Sequence, residues 1–382
     1  MKFTPVVLTA QEEALRAEVR SFLAQEMPQG SYRPGLGMSS GRDPEFSRKL
    51  AKAGFVGLSI PQEYGGQGKS AVERFIVVEE LLSAGVPVGA HWAADRQTGP
   101  TILLFGTEDQ RRRFLPPIAA GECYFSLGMS EPDSGSDLAS VRTTGERVEG
   151  GWLVNGTKVW TSGAHMNHYM VALVRTSPKE GDNRHAGLSQ LIIDFSSEGI
   201  QINPITFLDG SHSFNEVVME DVFVPDEMVL GEVGQGWNQV TSELAYERAG
   251  PDRYLSAYQL LESFIREHPE QGEREEVRSQ FGAITARFWT IRQLALSIAR
   301  AIDNAQAPAI EAAMLKDLGT VFEQEIVDTL RALTEDELSP DADSLYQELL
   351  ARSTVISPSY TMRGGTTEVL RSIASKGLAA AR

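Results

Sequence analysis

The sequence GMSEPDSGSDL occupies residues 128–138, and KVWTSG follows at residues 158–163. The first stretch has the composition of a loop, because Pro132 fixes one backbone angle, Gly135 permits a positive φ, and the serines and aspartates can bond their own backbone. Such a loop presents N–H groups and hydroxyls to a ligand with many acceptors. The second stretch ends a predicted strand in Trp160 and two hydroxyl groups, which together suit a flat ring with polar edges.

Three regions of different hydrophobic periodicity surround these motifs. Residues 1–120 have helical spacing, with capping boxes at Thr9 and Thr107. Residues 121–235 change to the period of strands and contain turn signals at 149–151 and 155–156. Residues 236–382 return to helical spacing, with two apolar stripes that suit a helix bundle and an oligomer contact: Ile284, Phe288, Ile291, Ala295 and Ile298, then Leu315, Leu318, Phe322, Ile326 and Leu330. We therefore predict an α+β chain of three domains with these boundaries.

The net charge of −17 over 382 residues argues against nucleic acid or an anionic membrane as a partner. A polyanionic ligand would need arginines or lysines placed locally. The single cysteine, Cys123, excludes an internal disulfide, fits a reducing compartment and is interpreted as a buried apolar residue. No secretory signal or membrane-spanning run is visible, so a cytoplasmic location is expected.

Two other groups of polar residues give no prediction of a functional site. The basic run at 111–113 is expected to form a solvated helix face. The histidines between the motifs and the last helices have no metal-ligand spacing, so we predict no metal site: His165, His168, His185 and His212.

The two motifs together resemble the flavin-binding signature of the acyl-CoA dehydrogenase family, T-E-P-x-[AS]-G-S-D followed by K-x-W-[IT]-[TS]. The sequence RGGTTE at 363–368 matches a third motif of that family, and the resemblance covers nearly the whole chain. It implies an N-terminal α-helical domain, a middle β-barrel or sandwich and a C-terminal four-helix bundle. It also implies FAD-dependent removal of two hydrogens from Cα and Cβ of an acyl-CoA thioester, with electrons passing to an electron-transfer flavoprotein.

The resemblance also implies a catalytic base. The commoner family position, immediately before the Gly-Thr of the third motif, is Gly364 here and is therefore vacant as a base. The second family position, on the helix that opens the C-terminal domain, matches Glu247, followed by Arg248. We predict that Glu247 is the base, that the backbone N–H of Gly364 bonds the thioester oxygen, and that Tyr246 and Arg248 lie near the substrate. Because residue 364 is a glycine and not a glutamate, the site has room for a branched or bulky acyl group.

The resemblance also implies which residues contact the cofactor and the substrate. The flavin is expected to contact the backbone and side chains of the first two motifs, with Ser136 near the pyrophosphate or thioester and Trp160 on the ring face. The full set of cofactor residues implied in this way is Met129, Ser130, Ser136, Trp160, Ser162, Arg278, Phe281, Thr366 and Glu368.

Two departures from the family pattern concern the assembly. Arg278 and Phe281-Gly282 match residues that relatives donate to a neighbouring subunit's FAD, but the following Gln position is Trp289, and no Q-x-x-G-G segment lies between Trp289 and the third motif. We therefore predict an α2β2 heterotetramer with a paralogous acyl-CoA dehydrogenase subunit, with a homotetramer as the alternative. The WTSGAH and RGGT details resemble the bacterial subgroup with such tetramers, which acts on CoA esters of steroid side chains.

Two alternative functions stay open on the sequence. One is a flavin-dependent oxidase or monooxygenase on the same fold, although a monooxygenase would leave Glu247 without a purpose. The other is a non-catalytic subunit that completes the FAD site of a partner.

Overall fold

The computed structural model describes residues 3–179, 181–335 and 337–380, apart from the side chains of residues 39, 243–247 and 380. The described chain forms two compact units. A helical unit contains the chain up to Asp43, Lys69–Gly89 and the chain from Ala245 onward. A sheet unit contains Pro44–Gly68 and Ala90–Leu244. The predicted order of helices, strands and helices is confirmed, while the boundaries at 120/121 and 235/236 stay a prediction.

The helical unit consists mainly of long helices that pack side by side. Its elements are α1 (Ala10–Glu26), α3 (Ala71–Ala84), α7 (Tyr258–Glu267), α8 (Glu275–Asp303), α9 (Ala309–Leu333), α10 (Leu345–Ile356) and α11 (Thr367–Ala380). Helix α1 packs on α3, α3 on α8, and α9 on both α8 and α11. The predicted capping box of α1 is present, because Thr9 accepts a bond from the Glu12 N–H and Glu12 from the Thr9 N–H.

The apolar stripe of α9 buries four of its five predicted members, Leu315, Phe322, Ile326 and Leu330. The fifth member, Leu318, is 45% exposed. The four buried positions are spaced seven, four and four residues apart and follow one helix face, whereas Leu318 lies three residues after Leu315 on its edge.

The sheet unit contains α2 (Pro44–Lys52), α4 (Gly99–Phe105), α5 (Glu108–Ala119) and most of α6 (Gly236–Glu247) beside the strands. The strands are β1 (Phe125–Gly128), β2 (Thr144–Val148), β3 (Gly151–Ser162), β4 (Tyr169–Arg175), β5 (Leu188–Asp194), β6 (Ile200–Thr206), β7 (His212–Pro225) and β8 (Val229–Leu230). They form one sheet in the order β6-β7-β3-β2-β4-β5-β8, and β1 runs parallel to β4.

The core of this unit lies on β4 and β5. Residues 170–174 and 188–193 are all buried, so both faces of these strands are covered and their sequences are almost continuously apolar. The first two sequence motifs both lie at strand ends of this unit. Strand β1 leads into the first motif, and β3 ends in the second.

Candidate active site

The first motif forms a loop whose shape is fixed by one buried ion pair. The Lys158 Nζ donates to Glu131 Oε1 at 2.8 Å and to the carbonyl oxygens of Leu173 and Met129 at 2.7 and 3.3 Å. Glu131 also accepts from the backbone N–H groups of Arg142 and Thr143 at 2.6 and 2.9 Å. The lysine that precedes Trp160 therefore ties the first motif to the second and to the core strand β4.

Burial acts on the pKa values of both members of this pair, but it determines the net shift only for Lys158. It lowers the pKa of Lys158 to about 8, although Glu131 opposes the shift. Burial alone would raise the pKa of Glu131, but the Lys158 ammonium and the hydrogen bonds to its carboxylate bring the net pKa below its usual value. Neither residue was assigned a role from the sequence, because the pairing joins positions 27 residues apart that only the fold brings together.

Trp160 is held on the surface of the sheet unit. Its ring is 55% exposed and its backbone has φ of +58°, a left-handed conformation that is rare for a residue with a large side chain. The register between β3 and β7 shifts between Lys158 and Thr161, which places the bulge at this residue. The edge of Phe214 supports the ring, with centroids 6.1 Å apart. An exposed indole on a constrained backbone presents a flat face to a ligand.

The residues that follow Trp160 are fastened from β7. Asn215 is fully buried and donates from Nδ2 to the Thr161 carbonyl at 3.0 Å. Its Oδ1 contacts His165 Nδ1 at 3.0 Å and His212 Nε2 at 2.8 Å, and the two imidazole rings stack with centroids 4.1 Å apart. Ser162, the residue after Thr161, is exposed. The histidine pair thus belongs to the support of the second motif, which the sequence did not indicate.

Of the three serines in the first motif, Ser134 is buried and the other two are accessible to different degrees. Ser130 is half-buried, and its carbonyl accepts from the Val159 N–H at 2.9 Å. Ser136 is exposed. Met129 is half-buried and packs against a small core cluster that includes Val141. The structure thus groups the five predicted flavin residues Met129, Ser130, Ser136, Trp160 and Ser162 on one unit.

The third motif lies in the helical unit, in a turn before α11. Gly364 has φ of +68°, and its carbonyl accepts from Arg248 Nε at 3.1 Å. Gly365 has φ of +102°, and a Cβ there would lie 3.3 Å from Nη2 of Arg248. The left-handed backbone favours glycine at both positions, and Arg248 contacts the predicted substrate-binding turn.

Two further cationic side chains stabilise the turn of the third motif through hydrogen bonds and an ion pair. The fully buried Lys316 donates to the carbonyls of Thr361 and Gly365 at 2.8 and 2.7 Å. Arg363 Nη2 donates to Glu323 Oε2 at 2.7 Å. Burial raises the pKa of Glu323, and Arg363 partly offsets this rise. Lys316 and Glu323 were missed by the sequence analysis, because within their helix they resemble ordinary surface charges.

Two more of the predicted cofactor residues lie at the start of α11. Thr366 precedes the helix, and its Oγ1 accepts from the Val369 N–H at 3.4 Å. Glu368 is exposed, and its own backbone N–H and Thr366 lower its pKa. Thr367 has a buried hydroxyl that makes no hydrogen bond to any described residue. A helix start with spare donors suits phosphate oxygens.

The residues predicted to serve a neighbouring subunit lie on α8. Arg278 is exposed and donates to the carbonyls of Gly272 and Glu273 at 3.2 and 2.7 Å. The Phe281 ring stacks on Phe264 with centroids 5.3 Å apart. Trp289, which replaces the expected glutamine, is 55% exposed.

The side chains of Tyr246 and Glu247 lie outside the described residues; Glu247 is the last residue of α6. Cys123 is buried, and burial raises the pKa of its thiol to about 12, which fits its interpretation as an apolar core residue. In the described ranges there is no group of three or more acidic, histidine or cysteine side chains that could hold a metal ion. None of the helices described is long and apolar enough to cross a membrane.

Comparisons with known proteins identify the family. Profiles of the acyl-CoA dehydrogenase N-terminal, middle and C-terminal domains match residues 9–122, 126–222 and 234–379. The chain is 33% identical to acyl-CoA dehydrogenase FadE29 of Mycobacterium tuberculosis over 97% of both chains. It is 39% identical to acyl-CoA dehydrogenase IpdE1 of the same organism, over 62% of this chain and 63% of that protein.

Two solved structures are similar over almost their whole length. The Tcur3481–Tcur3483 steroid ACAD has a TM-score of 0.85 and 28% identity over 99% of both chains. The ChsE4–ChsE5 complex of Mycobacterium tuberculosis has a TM-score of 0.80 and 31% identity over 97% of both chains. The chain therefore belongs to the acyl-CoA dehydrogenase family of enzymes, and its resemblance to the steroid subgroup is confirmed.

Proposed function

We propose that this chain catalyses FAD-dependent α,β-dehydrogenation of an acyl-CoA thioester with a bulky, steroid-type acyl group. The observation that carries the proposal is the exposed Trp160 ring on a left-handed backbone, within a motif fixed by the Lys158–Glu131 pair. An indole held outside the core fits the face of a flavin ring. When bound, FAD supplies the acceptor for the hydride that leaves Cβ.

This chain's residues would hold the cofactor at two places. Met129, Ser130, Trp160 and Ser162 hold the ring end, with Ser136 toward the pyrophosphate or thioester. Thr366 and Glu368 hold the pyrophosphate and ribose end, where the start of α11 provides backbone N–H donors. Arg278 and Phe281 serve the FAD of a neighbouring subunit.

The proton chemistry belongs to Glu247. Its carboxylate takes the α-proton of the thioester, and the backbone N–H of Gly364 bonds the thioester oxygen while negative charge develops there. Arg248 bonds the Gly364 carbonyl and so positions this turn as well as lying near the substrate. The glycine at 364 leaves room beside the reacting carbons for a branched or bulky group.

Product analysis tests this reaction directly. We expect the purified enzyme, given a steroid side-chain CoA ester and an artificial electron acceptor, to form the α,β-unsaturated ester, two hydrogens lighter. Product carrying an added oxygen atom would indicate a monooxygenase instead, and consumption of oxygen without an acceptor would indicate an oxidase. We propose electron-transfer flavoprotein as the acceptor in the cell.

Removal of the Trp160 ring should weaken FAD binding without unfolding the chain. Because the ring is 55% exposed in the absence of ligand, Trp160→Ala removes contact area mainly from the complex. We expect a loss of about 2 kcal/mol of binding free energy, roughly 30-fold in Kd, with unchanged thermal stability of the apoprotein. Fluorescence titration with FAD of the apoprotein, co-expressed with its paralogous partner subunit, measures the Kd, and Trp160→Phe is the matched control that keeps a ring. Equal FAD affinity in Trp160→Ala and the parent would refute the assigned contact.

The assembly proposed here is an α2β2 heterotetramer with a paralogous subunit, in which Trp289 replaces a residue used to complete a neighbour's site. Two relatives are named as pairs, the Tcur3481–Tcur3483 steroid ACAD and the ChsE4–ChsE5 complex. We expect the chain expressed alone to be colourless, and the co-expressed pair to be yellow with about one FAD for every two chains. Absorbance and subunit analysis measure this ratio. A yellow homotetramer with one FAD per chain would refute the mixed assembly.

A further inference from the structure

The turn of the third motif has two successive residues without side chains. Gly364 and Gly365 have φ of +68° and +102°, and both lie in the turn before α11. Glycine leaves the backbone more conformational freedom than any other residue. The direction of the Gly364 N–H is therefore set by the residues that flank the two glycines.

Arg363 is the flanking residue closest to this N–H. The Gly364 N–H and the Arg363 carbonyl belong to one planar peptide group, so fixing Arg363 also fixes the N–H. The Arg363 Nη2 donates to Glu323 Oε2 at 2.7 Å and to Ser256 Oγ at 2.8 Å. It also donates to the Asp252 carbonyl at 3.2 Å. The guanidinium is thus anchored inside the helical unit.

Glu323 connects this arginine to the part of the chain that follows Glu247. The carboxylate is fully buried, and its Oε1 accepts from the Ser256 N–H at 2.7 Å. Its other oxygen, Oε2, is the one that pairs with Arg363. Hydrogen bonds to a charged group are short and strong. One carboxylate therefore holds the segment 251–256 with one oxygen and the Gly364 turn with the other.

The same face of α9 supports both segments at further points. Lys316 lies about two helical turns before Glu323 and so shares its face. It donates to the Gly365 carbonyl at 2.7 Å. Between them, Gly319 lets the backbone of the segment 251–256 approach closely, because a Cβ at 319 would clash with the Arg253 carbonyl oxygen. This face of α9 is therefore shaped to hold the two segments against each other.

We propose that Glu323 is a positioning residue for the dehydrogenation, which acts through Arg363 to fix the Gly364 N–H relative to the segment that continues from Glu247. The inference rests on the proposed function, in which this N–H bonds the thioester oxygen as negative charge develops there. A donor that is already held in place needs no reorganisation when the charge appears. The contribution of Glu323 is therefore made in the transition state and not in substrate binding.

Steady-state kinetics of the purified FAD-containing enzyme, with rates expressed per bound FAD, test this role. Glu323→Gln keeps the shape of the side chain and an oxygen for the Ser256 N–H, but it removes the charge that holds Arg363. We expect kcat to fall about tenfold while KM for the CoA ester stays within about twofold of the parent value. Ser256→Ala removes a single bond to Arg363 and should lower kcat by about two- to threefold.

Glu348→Gln is the matched control. Glu348 is also a buried carboxylate of the helical unit that pairs with arginines, with Arg33 at 2.6 Å and Arg352 at 3.0 Å. Its replacement should lower thermal stability and leave kcat per bound FAD unchanged. A purely structural role of Glu323 predicts that the two glutamine variants behave alike.

Three results would overturn the inference: an unchanged kcat in Glu323→Gln, an equal loss in Glu348→Gln, or a change in KM at constant kcat. If Glu323→Gln does not fold, an unchanged kcat in Ser256→Ala overturns it instead. These failures differ from failure of the proposed function. A parent enzyme that dehydrogenates CoA esters while its Glu323→Gln variant does so equally well contradicts only the positioning role. A parent enzyme that forms no unsaturated ester contradicts the reaction itself and the inference with it.

Discussion

The Glu247→Gln enzyme is expected to bind FAD and substrate normally and to lose turnover, with kcat lower by about 10²- to 10⁴-fold. The amide has nearly the shape of the carboxylate but cannot accept the α-proton of the thioester. Because the alternative family position is Gly364, no second carboxylate is proposed to replace it. Steady-state kinetics with an artificial electron acceptor measure the effect, and the visible spectrum reports retention of FAD.

Glu243→Gln is the matched control, since it removes a carboxylate four residues earlier in α6. This variant should retain turnover within a few-fold. If Glu247→Gln turned over at the rate of the parent enzyme, Glu247 would not be the base. The glycine backbone argues against moving the base to 364, because φ of +68° disfavours any side chain there by about 1 kcal/mol or more.

The second large effect is expected at the buried pair beneath the flavin motif. Lys158→Met leaves the Glu131 carboxylate buried without its cation, and we expect the free energy of unfolding to fall by about 3–5 kcal/mol. The same substitution removes the hydrogen bond from Lys158 to the Met129 carbonyl, so the loop of the first motif also loses a contact that holds it in place. Urea denaturation followed by circular dichroism measures the change, and weaker FAD binding should accompany it.

The double variant Glu131→Gln/Lys158→Met provides the control for that result. It removes both charges, so it should be more stable than Lys158→Met alone. If Lys158→Met unfolded at the same urea concentration as the parent protein, the ion pair would not stabilise the loop. If the double variant were less stable than Lys158→Met, the unpaired carboxylate would not explain the loss.

Much of the fold could be predicted because its signals are local. The capping boxes predicted at Thr9 and Thr107 are present, and the turn signal at 149–151 joins β2 to β3, since caps and turns are contained in the segments themselves. The exposure of Leu318 could not be predicted, because it depends on which face of α9 meets the neighbouring helices.

The candidate site was less accessible to sequence reasoning. A tryptophan at a strand end is usually buried, and only the backbone φ and the register shift at Trp160 show why this one is exposed. The supports of the motifs, Lys158 with Glu131, Asn215 with its histidines, and Lys316 beneath Gly365, join positions far apart in the chain. No local pattern reports such contacts, so they emerge only from the fold.

Anaerobic mixing of the yellow complex with a steroid side-chain CoA ester tests whether this chain dehydrogenates such an ester. We expect the visible absorbance of the oxidised flavin to disappear within one turnover and the unsaturated CoA ester to appear in equal amount. Glu247→Gln complex should keep its yellow colour over the same time. A parent complex that stays yellow with every CoA ester, while binding them, would contradict the assignment of this chain as an acyl-CoA dehydrogenating subunit.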